Sequence, residues 1–249
     1  MNTAQGYMNA LTNEFSRGHF QDALRFGWML LEDPTLQEEL RGDPWRLGII
    51  HRDIAAVYDR LGDVEAAKQS LYKAEWYHNQ FVVEQHKDSP RSHRDNEGQK
   101  AAAHAERSAT RSYVGMIGLR AALFSGDGGK NALSAMRSAM RDMEEAHTYG
   151  QASAEPQPLL RQYETNLTPR WSMAESLYGD RQRGLALAGR AIHLALSSES
   201  EGHAKGMTSG DIIRARLRGV ARGMAAVAVN VCARLGMAKT AQTITGKAL

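Results

Sequence analysis

The sequence predicts an all-α protein, and three observations carry that prediction. Apolar residues recur at intervals of three and four along nearly the whole chain, which is the spacing of one helix face. No segment combines sustained apolar–polar alternation with β-branched residues, so nothing predicts a strand. Helix starts are marked at Asp43-Pro44 and Thr168-Pro169, where an N-cap residue precedes proline, and at Ser209. We therefore expect roughly ten to twelve helices in antiparallel pairs.

Helix lengths and loops follow from the same patterns. The longest helices are predicted at about 64–86, 96–125 and 210–235, where the helical spacing runs on without interruption. Loops are predicted where glycine, proline and polar residues cluster, at 86–95, 124–130, 148–158 and 197–210. The 249 residues suffice for one large domain or a short solenoid, and we treat 1–249 as one helical domain.

The stretch Ile49–His78 has an ordered spacing of small and large residues. Its markers are Tyr58, Gly62, Ala67, Leu71 and Ala74, with Ala55 seven residues before the glycine. Small alanines allow two helices to cross closely, and a tyrosine fills the wedge between them. Gly62 is suited to the left-handed backbone that ends a helix. This pattern resembles the tetratricopeptide repeat (TPR), a helix–turn–helix unit of 34 residues.

Glycine turns of the same kind recur along the chain. They lie at Gly18, Gly62, Gly126, Gly179 and Gly236, each followed by small residues in the next helix. The resemblance covers residues 5–78 best, and residues 96–249 match it as degenerate repeats. The alternative is a non-repetitive helical bundle that uses glycine turns.

The resemblance implies a right-handed superhelix of antiparallel helix pairs, an α-solenoid. In TPR proteins the first helix of each pair lines a concave groove that binds a peptide or partner protein. Carried over to this sequence, the groove positions are Arg52, Ala56, Asp59 and Arg60 in the best repeat and Ala226, Asn230 and Arg234 in the last turn. Family members that grip a terminal carboxylate pair a basic residue with an asparagine four positions later. Here Ala56 stands in that place, which argues against a carboxylate clamp.

Motifs of catalysis and metal binding do not occur. No two histidines are three or four residues apart, as a helical zinc site needs, and no His-Glu-x-x-His motif occurs. His78, His86, His93 and His104 fall near one predicted loop, where polar composition explains them. The run "SGDGGK" follows a helix and lacks the residues of a phosphate loop. We therefore predict a protein that is not an enzyme and has no cofactor or metal.

Charge is distributed unevenly along the chain. Residues 1–90 carry a net charge of −5 and residues 91–249 carry +8. Arginines at every fourth position form one stripe, Arg214, Arg218 and Arg222, and a second stripe includes Arg107 and Arg111. Each is either a solvated helix face or part of a site for an acidic peptide or for nucleic-acid phosphates. Aromatic residues do not interleave with these arginines, so stacking of single-stranded bases is disfavoured.

The predicted function is a protein- or peptide-binding scaffold. Its partner is a protein or peptide, acidic if the arginine stripes bind it. The alternatives are a peptide-sensing regulator and a binder of nucleic acid or another anion. No secretion signal and no membrane-spanning segment is apparent, and the single cysteine, Cys232, fits a reducing compartment. We therefore expect a cytoplasmic location without membrane contact, and homo-oligomerisation remains open.

Overall fold

A computed structural model describes residues 3–87, 93–125, 128–153, 158–197 and 208–249. Within these ranges the chain forms eleven α-helices and no strand, so the all-α prediction is confirmed. The helices are α1 (Ala4–Arg17), α2 (Phe20–Glu32), α3 (Pro34–Leu40), α4 (Pro44–Leu61), α5 (Val64–Gln85), α6 (His93–Ser125), α7 (Gly129–Ala152), α8 (Pro158–Tyr178), α9 (Arg181–Leu196), α10 (Ser209–Arg234) and α11 (Ala238–Ala248).

Helix ends follow local capping chemistry. Asp43 accepts a hydrogen bond from the backbone N–H of Arg46, and Pro44 takes the first helical position, as the sequence predicts. Gly18, Gly62 and Gly236 adopt left-handed backbone with φ of 81°, 82° and 73°, which ends α1, α4 and α10. These three predicted glycine turns are therefore present.

The other two predicted turns differ. Gly126 lies outside the described residues. Gly179 joins α8 to α9 but does not have a positive φ. Glycine is needed there for space, because a Cβ would lie 2.2 Å from Oε2 of Glu175, which accepts a hydrogen bond from the N–H of Asp180.

Consecutive helices pack on each other, and alternate helices also meet. From α4 to α11 each helix contacts the next along the chain. In addition α4 contacts α6, α6 contacts α8, and α8 contacts α10. The helices α4, α6, α8 and α10 therefore form a continuous row, and α5, α7 and α9 connect successive members of it.

Small residues lie where the helices cross. Ala55, Ala67 and Ala74 are at most 1% exposed, as the spacing of the Ile49–His78 stretch predicts. Tyr58 packs between two clusters of buried residues, one on α1–α4 and the other on α4–α6. A third and larger cluster connects α6 through α11.

Several sequence-based expectations are wrong. Thr168-Pro169 does not start a helix, because α8 runs through it and the Thr168 hydroxyl donates to the carbonyl of Glu164. Packing of α8 against α6, α7, α9 and α10 outweighs the hydrogen bond that proline cannot donate. The predicted loop at 148–158 begins late, since α7 continues to Ala152.

The tryptophans also depart from expectation. Because all four lie within helical units of the sequence, large aromatic residues of this kind are expected to be buried packing anchors. Trp171 is buried, whereas Trp28, Trp45 and Trp76 are 37%, 40% and 56% exposed. In the described part of the chain, no helix has the length and apolar character needed to cross a membrane.

Candidate functional site: an arginine-rich cavity

A cavity of about 300 Å³ lies along the row formed by α4, α6, α8 and α10. We call it the central cavity. Its lining residues are Phe15 of α1; Arg52, Asp53, Ala56, Asp59 and Arg60 of α4; Ser108, Ala109, Ser112, Tyr113, Met116 and Arg120 of α6; Met143 of α7; Tyr163, Asn166, Leu167 and Arg170 of α8; Arg222 of α10; and Leu249.

Helical spacing explains why these side chains meet. On α4, Arg52, Ala56 and Asp59 follow the four- and three-residue steps of one helix face. On α8, Tyr163, Leu167 and Arg170 repeat the same steps. Each helix of the row therefore presents one stripe to the cavity. The lining includes five arginines against two aspartates, so its charge is predominantly positive.

A buried carboxylate connects three helices beside the cavity. Glu106 of α6 is 4% exposed and forms an ion pair with Arg52 of α4. Its Oε1 accepts a 2.7 Å hydrogen bond from the Tyr163 hydroxyl of α8. Burial alone would raise the pKa of Glu106, but Arg52 and the other nearby groups lower it overall. Glu106 is therefore ionised at neutral pH, and its charge is matched by Arg52.

Asp53 is the weakly paired acid of the lining. Its Oδ1 lies 3.8 Å from Nε of Arg52, whose guanidinium is bonded more closely to Glu106. Burial raises the pKa of Asp53 to about 6, with Arg52 opposing that rise and Glu106 adding to it. The second acid, Asp59, forms an ion pair with Arg120 across α4 and α6.

The three remaining arginines of the lining have no acidic partner. Within the described residues, Arg60, Arg170 and Arg222 form no ion pair, and we call them the arginine triad. The guanidinium of Arg170 lies over the Tyr113 ring, 5.0 Å from its centroid. Burial lowers the pKa of Arg222, and the positive charges of Arg170, Arg218 and Arg60 lower it further. The triad is therefore a concentration of positive charge to which no acidic side chain of the described residues is paired.

The structure brings together part of the predicted site. Arg52, Asp59 and Arg60 line the central cavity, and so does Ala56. From the stripe on α10, Arg222 lines it, and Arg218 is close enough to affect the pKa of Arg222. Arg214 does not line the cavity, and its Nε donates to the carbonyl of Gly210 one turn earlier.

The second predicted stripe lies elsewhere. Arg107 donates to Asp142 on α7, at 2.7 Å, and Arg111 bonds both Asp142 and Glu75 on α5. These two arginines face α5 and α7, and neither lines the central cavity. Acids on the neighbouring helices already bind both guanidinium groups, and the role of this stripe in partner binding stays a prediction.

Asn230 and Arg234 also serve the packing of helices. The Asn230 amide donates to the Ser176 hydroxyl and to the carbonyl of Arg181, at 2.8 and 2.7 Å. Arg234 Nε donates to Asn230 Oδ1 at 2.8 Å. Both residues thus hold α10 to the turn between α8 and α9, and their assignment as groove residues stays a prediction.

Sequence reasoning missed most of the α6 and α8 contributions. Arg120, Tyr163 and Arg170 were not singled out. The seven-residue step from Tyr163 to Arg170 is a helical signal, but the predicted helix start at Thr168 broke it. Reading the helix through Pro169 would have placed both residues on one face.

The histidines near the 86–95 loop do not come together as a group. His86 and His104 place their Nε2 atoms 3.1 Å apart, whereas His78 is buried against Thr110. The side chain of His93 lies outside the described residues. His104 is close to Asp142 and Glu145 in an arrangement that could hold a metal, but Arg107 and Arg111 already bind Asp142. Two adjacent guanidinium groups oppose a cation there.

Comparison of this chain with protein-family models, with curated proteins and with solved structures finds no match. The TPR resemblance therefore stays a prediction from sequence, and the function has to be argued from the geometry of the central cavity.

Proposed function

We propose that this protein is a non-catalytic binding module that holds an acidic segment of a partner protein or peptide in the central cavity. The observation that carries the proposal is the arginine triad, which lines the cavity without an acidic side chain of the described residues paired to it. In this proposal the helix pairs form a TPR-like superhelix, with α4, α6, α8 and α10 on its inner side.

Two features of the fold support this arrangement. The helices of the row contact one another in turn, as the inner helices of stacked pairs must. The four positions that the resemblance assigns to the groove in the best repeat all line the central cavity. The binding face and the row of inner helices thus coincide.

The charge balance favours an acidic partner. Arg52 and Arg120 are matched by Glu106 and Asp59, which leaves the triad as the excess charge. Asp53, whose pKa is raised to about 6, is mostly ionised near neutrality, but its single negative charge offsets only part of this excess. An incoming carboxylate would therefore meet guanidinium groups that form strong, charge-assisted hydrogen bonds.

Nucleic acid fits this cavity less well. Binding of single strands relies on aromatic faces on which bases stack. Here Arg170 covers a face of Tyr113, and Tyr163 is half-buried and bonded to Glu106. A cavity of about 300 Å³ also lies at the small end of ligand sites and does not accommodate a duplex.

A labelled oligoglutamate peptide tests the proposal by fluorescence anisotropy. We expect binding that weakens steeply with added salt, because several charges are screened together. Arg222→Glu should reduce affinity by about tenfold or more, and Arg218→Glu, at the edge of the triad, should reduce it less. Arg141→Glu is the matched control, since Arg141 is exposed and bonds Ser138 of its own helix. An equal effect of all three substitutions would contradict the proposal.

Two further ligands test the identity of the partner. An oligolysine peptide should not bind. A single-stranded oligonucleotide should bind more weakly than oligoglutamate at equal salt, and tighter binding of the oligonucleotide would favour the nucleic-acid alternative.

A further inference from the structure

The three arginines of the triad come from three separate helices. Arg60 extends from α4, Arg170 from α8 and Arg222 from α10, and all three line the same cavity. Three guanidinium groups held together repel one another, so their arrangement costs free energy when the cavity holds no anion. An uncompensated cluster of this kind is typical of a binding site, because a cluster that served stability would include acids.

The acids of the cavity are already engaged. Asp59 is bound by Arg120, and Arg52 lies between Asp53 and the buried Glu106. Asp59 cannot turn toward the triad without leaving Arg120 unmatched, and Asp53 brings only one negative charge to three guanidinium groups. Arg170 is also held in place over the Tyr113 ring, which leaves the edge of its guanidinium available for oxygen acceptors.

The number of charges distinguishes between kinds of anion. A carboxylate brings one negative charge and two oxygens to three guanidinium groups. A phosphate monoester brings between one and a half and two negative charges near neutrality. It also brings three acceptor oxygens, about one for each arginine. The phosphoryl group is therefore the better match in both charge and hydrogen-bonding capacity.

We propose that Arg60, Arg170 and Arg222 bind a phosphate monoester, namely the side chain of a phosphorylated residue within the acidic segment. The peptide as carrier rests on the function proposed above, whereas the phosphoryl chemistry rests on the triad alone. Arg218, on the adjacent turn of α10, adds positive potential that draws the dianion to the site.

Three peptides of identical sequence, with serine, glutamate or phosphoserine at one position among acidic residues, separate these claims by calorimetry. We expect the phosphoserine peptide to bind about tenfold or more tightly than the glutamate peptide, and the serine peptide to bind most weakly. Inorganic phosphate should compete with the phosphoserine peptide.

Substitutions then locate the site. Arg60→Gln, Arg170→Gln and Arg222→Gln should each remove most of the advantage of phosphoserine over glutamate, while Arg141→Gln should leave it unchanged. Arg222→Lys keeps the charge at the half-buried position and should retain binding with a smaller advantage, because lysine lacks the planar fork. Circular dichroism and thermal melting of each variant establish that it is folded.

The outcomes are distinct. If phosphoserine binds no more tightly than glutamate, the phosphoryl assignment is overturned and the proposed function stands. If no peptide binds and inorganic phosphate does not bind either, both are overturned. If free inorganic phosphate binds as tightly as the phosphoserine peptide does, the assignment of a phosphoryl site is retained and the proposal that a peptide carries the phosphoryl group is overturned.

Discussion

Gly48 of α4 lies directly against the ring of His78 on α5. The His78 ring is fully buried, its Nδ1 lies 2.8 Å from the Thr110 hydroxyl, and a Cβ on Gly48 would lie 2.3 Å from the ring. Burial, with the charge of Arg52 adding to it, lowers the pKa of His78 to about 3, so the ring is neutral at physiological pH.

We expect Gly48→Ala to destabilise the protein by about 1–3 kcal/mol, because the methyl group overpacks a rigid ring. The steric loss should exceed the roughly 1 kcal/mol by which alanine is favoured over glycine within a helix, so that the net effect is destabilising. Gly189→Ala is the matched control, since open space surrounds Gly189 within α9, and it should stabilise by about 0.5–1 kcal/mol. Urea unfolding of the three proteins measures both effects, and equal shifts in one direction would contradict the packing described for Gly48.

Asp53 should give the protein a distinct pH dependence. Its folded-state pKa of about 6 lies above the ordinary value of 3.8, so the folded protein holds this proton more strongly than the unfolded chain. The stability contributed by protonated Asp53 is therefore full below 3.8 and is lost as the pH rises through about 6. The charged groups that act on this pKa are Arg52, which lowers it, and Glu106, which raises it.

The measurement is the unfolding free energy of the parent minus that of Asp53→Asn, determined across this pH range. The difference should fall between pH 3.8 and about 6 and stay level above that window. The subtraction removes the contributions of the other titrating groups. A difference that does not change with pH would show that Asp53 is not perturbed.

At the scale of helices, the crossing of α4 and α5 depends on a small residue. Ala67 has no exposed surface and packs in a cluster with Ala55, Leu71 and Ile117. Ala67→Leu should destabilise by about 1–3 kcal/mol, because the crossing cannot widen without disturbing α6. Gln69→Leu, on the exposed side of α5, should change stability by less than about 0.5 kcal/mol. Similar melting temperatures for the two variants would contradict the close packing of α4 and α5 at Ala67.

The helices were largely predictable from sequence because their signals are local. Asp43-Pro44 and Gly62 act through their own backbone, so capping chemistry placed both ends of α4. Pro169 was misleading because the contacts that keep α8 continuous come from four other helices, which no local pattern reveals. The exposed tryptophans were misassigned for a related reason, since periodicity shows a face without showing whether another helix covers it.

The candidate site was predictable in part, from the resemblance to a helical repeat and from the arginine stripe on α10. Arg52 and Arg60 were placed by their position in a helix pair. Arg107 and Arg222 look alike in sequence, as members of stripes, yet the first meets Asp142 and the second meets other arginines. That difference depends on which helix lies opposite.

At the scale of the whole molecule, the buried residues of the described ranges are divided unequally. The cluster spanning α6 to α11 has twenty buried residues, whereas the cluster spanning α1 to α4 has seven. Local opening should therefore cost less at the beginning of the chain. In hydrogen exchange followed by mass spectrometry, we expect amides of α7 and α8 to exchange last and those of α1 and α3 to exchange early. Equal protection throughout would indicate a single cooperative unit.

The carboxylate of Glu106, which binds both Arg52 and Tyr163, has a consequence for the entropy of ligand binding. Arg52, Glu106 and Tyr163 are held by one another before any ligand arrives, so this side of the cavity has little conformational freedom to lose. The entropic cost of binding should then fall mainly on the ligand and on the exposed side chain of Arg60. Tyr163→Phe removes the hydrogen bond from the Tyr163 hydroxyl to Glu106. This substitution should make binding entropically less favourable even though Tyr163 need not touch the ligand.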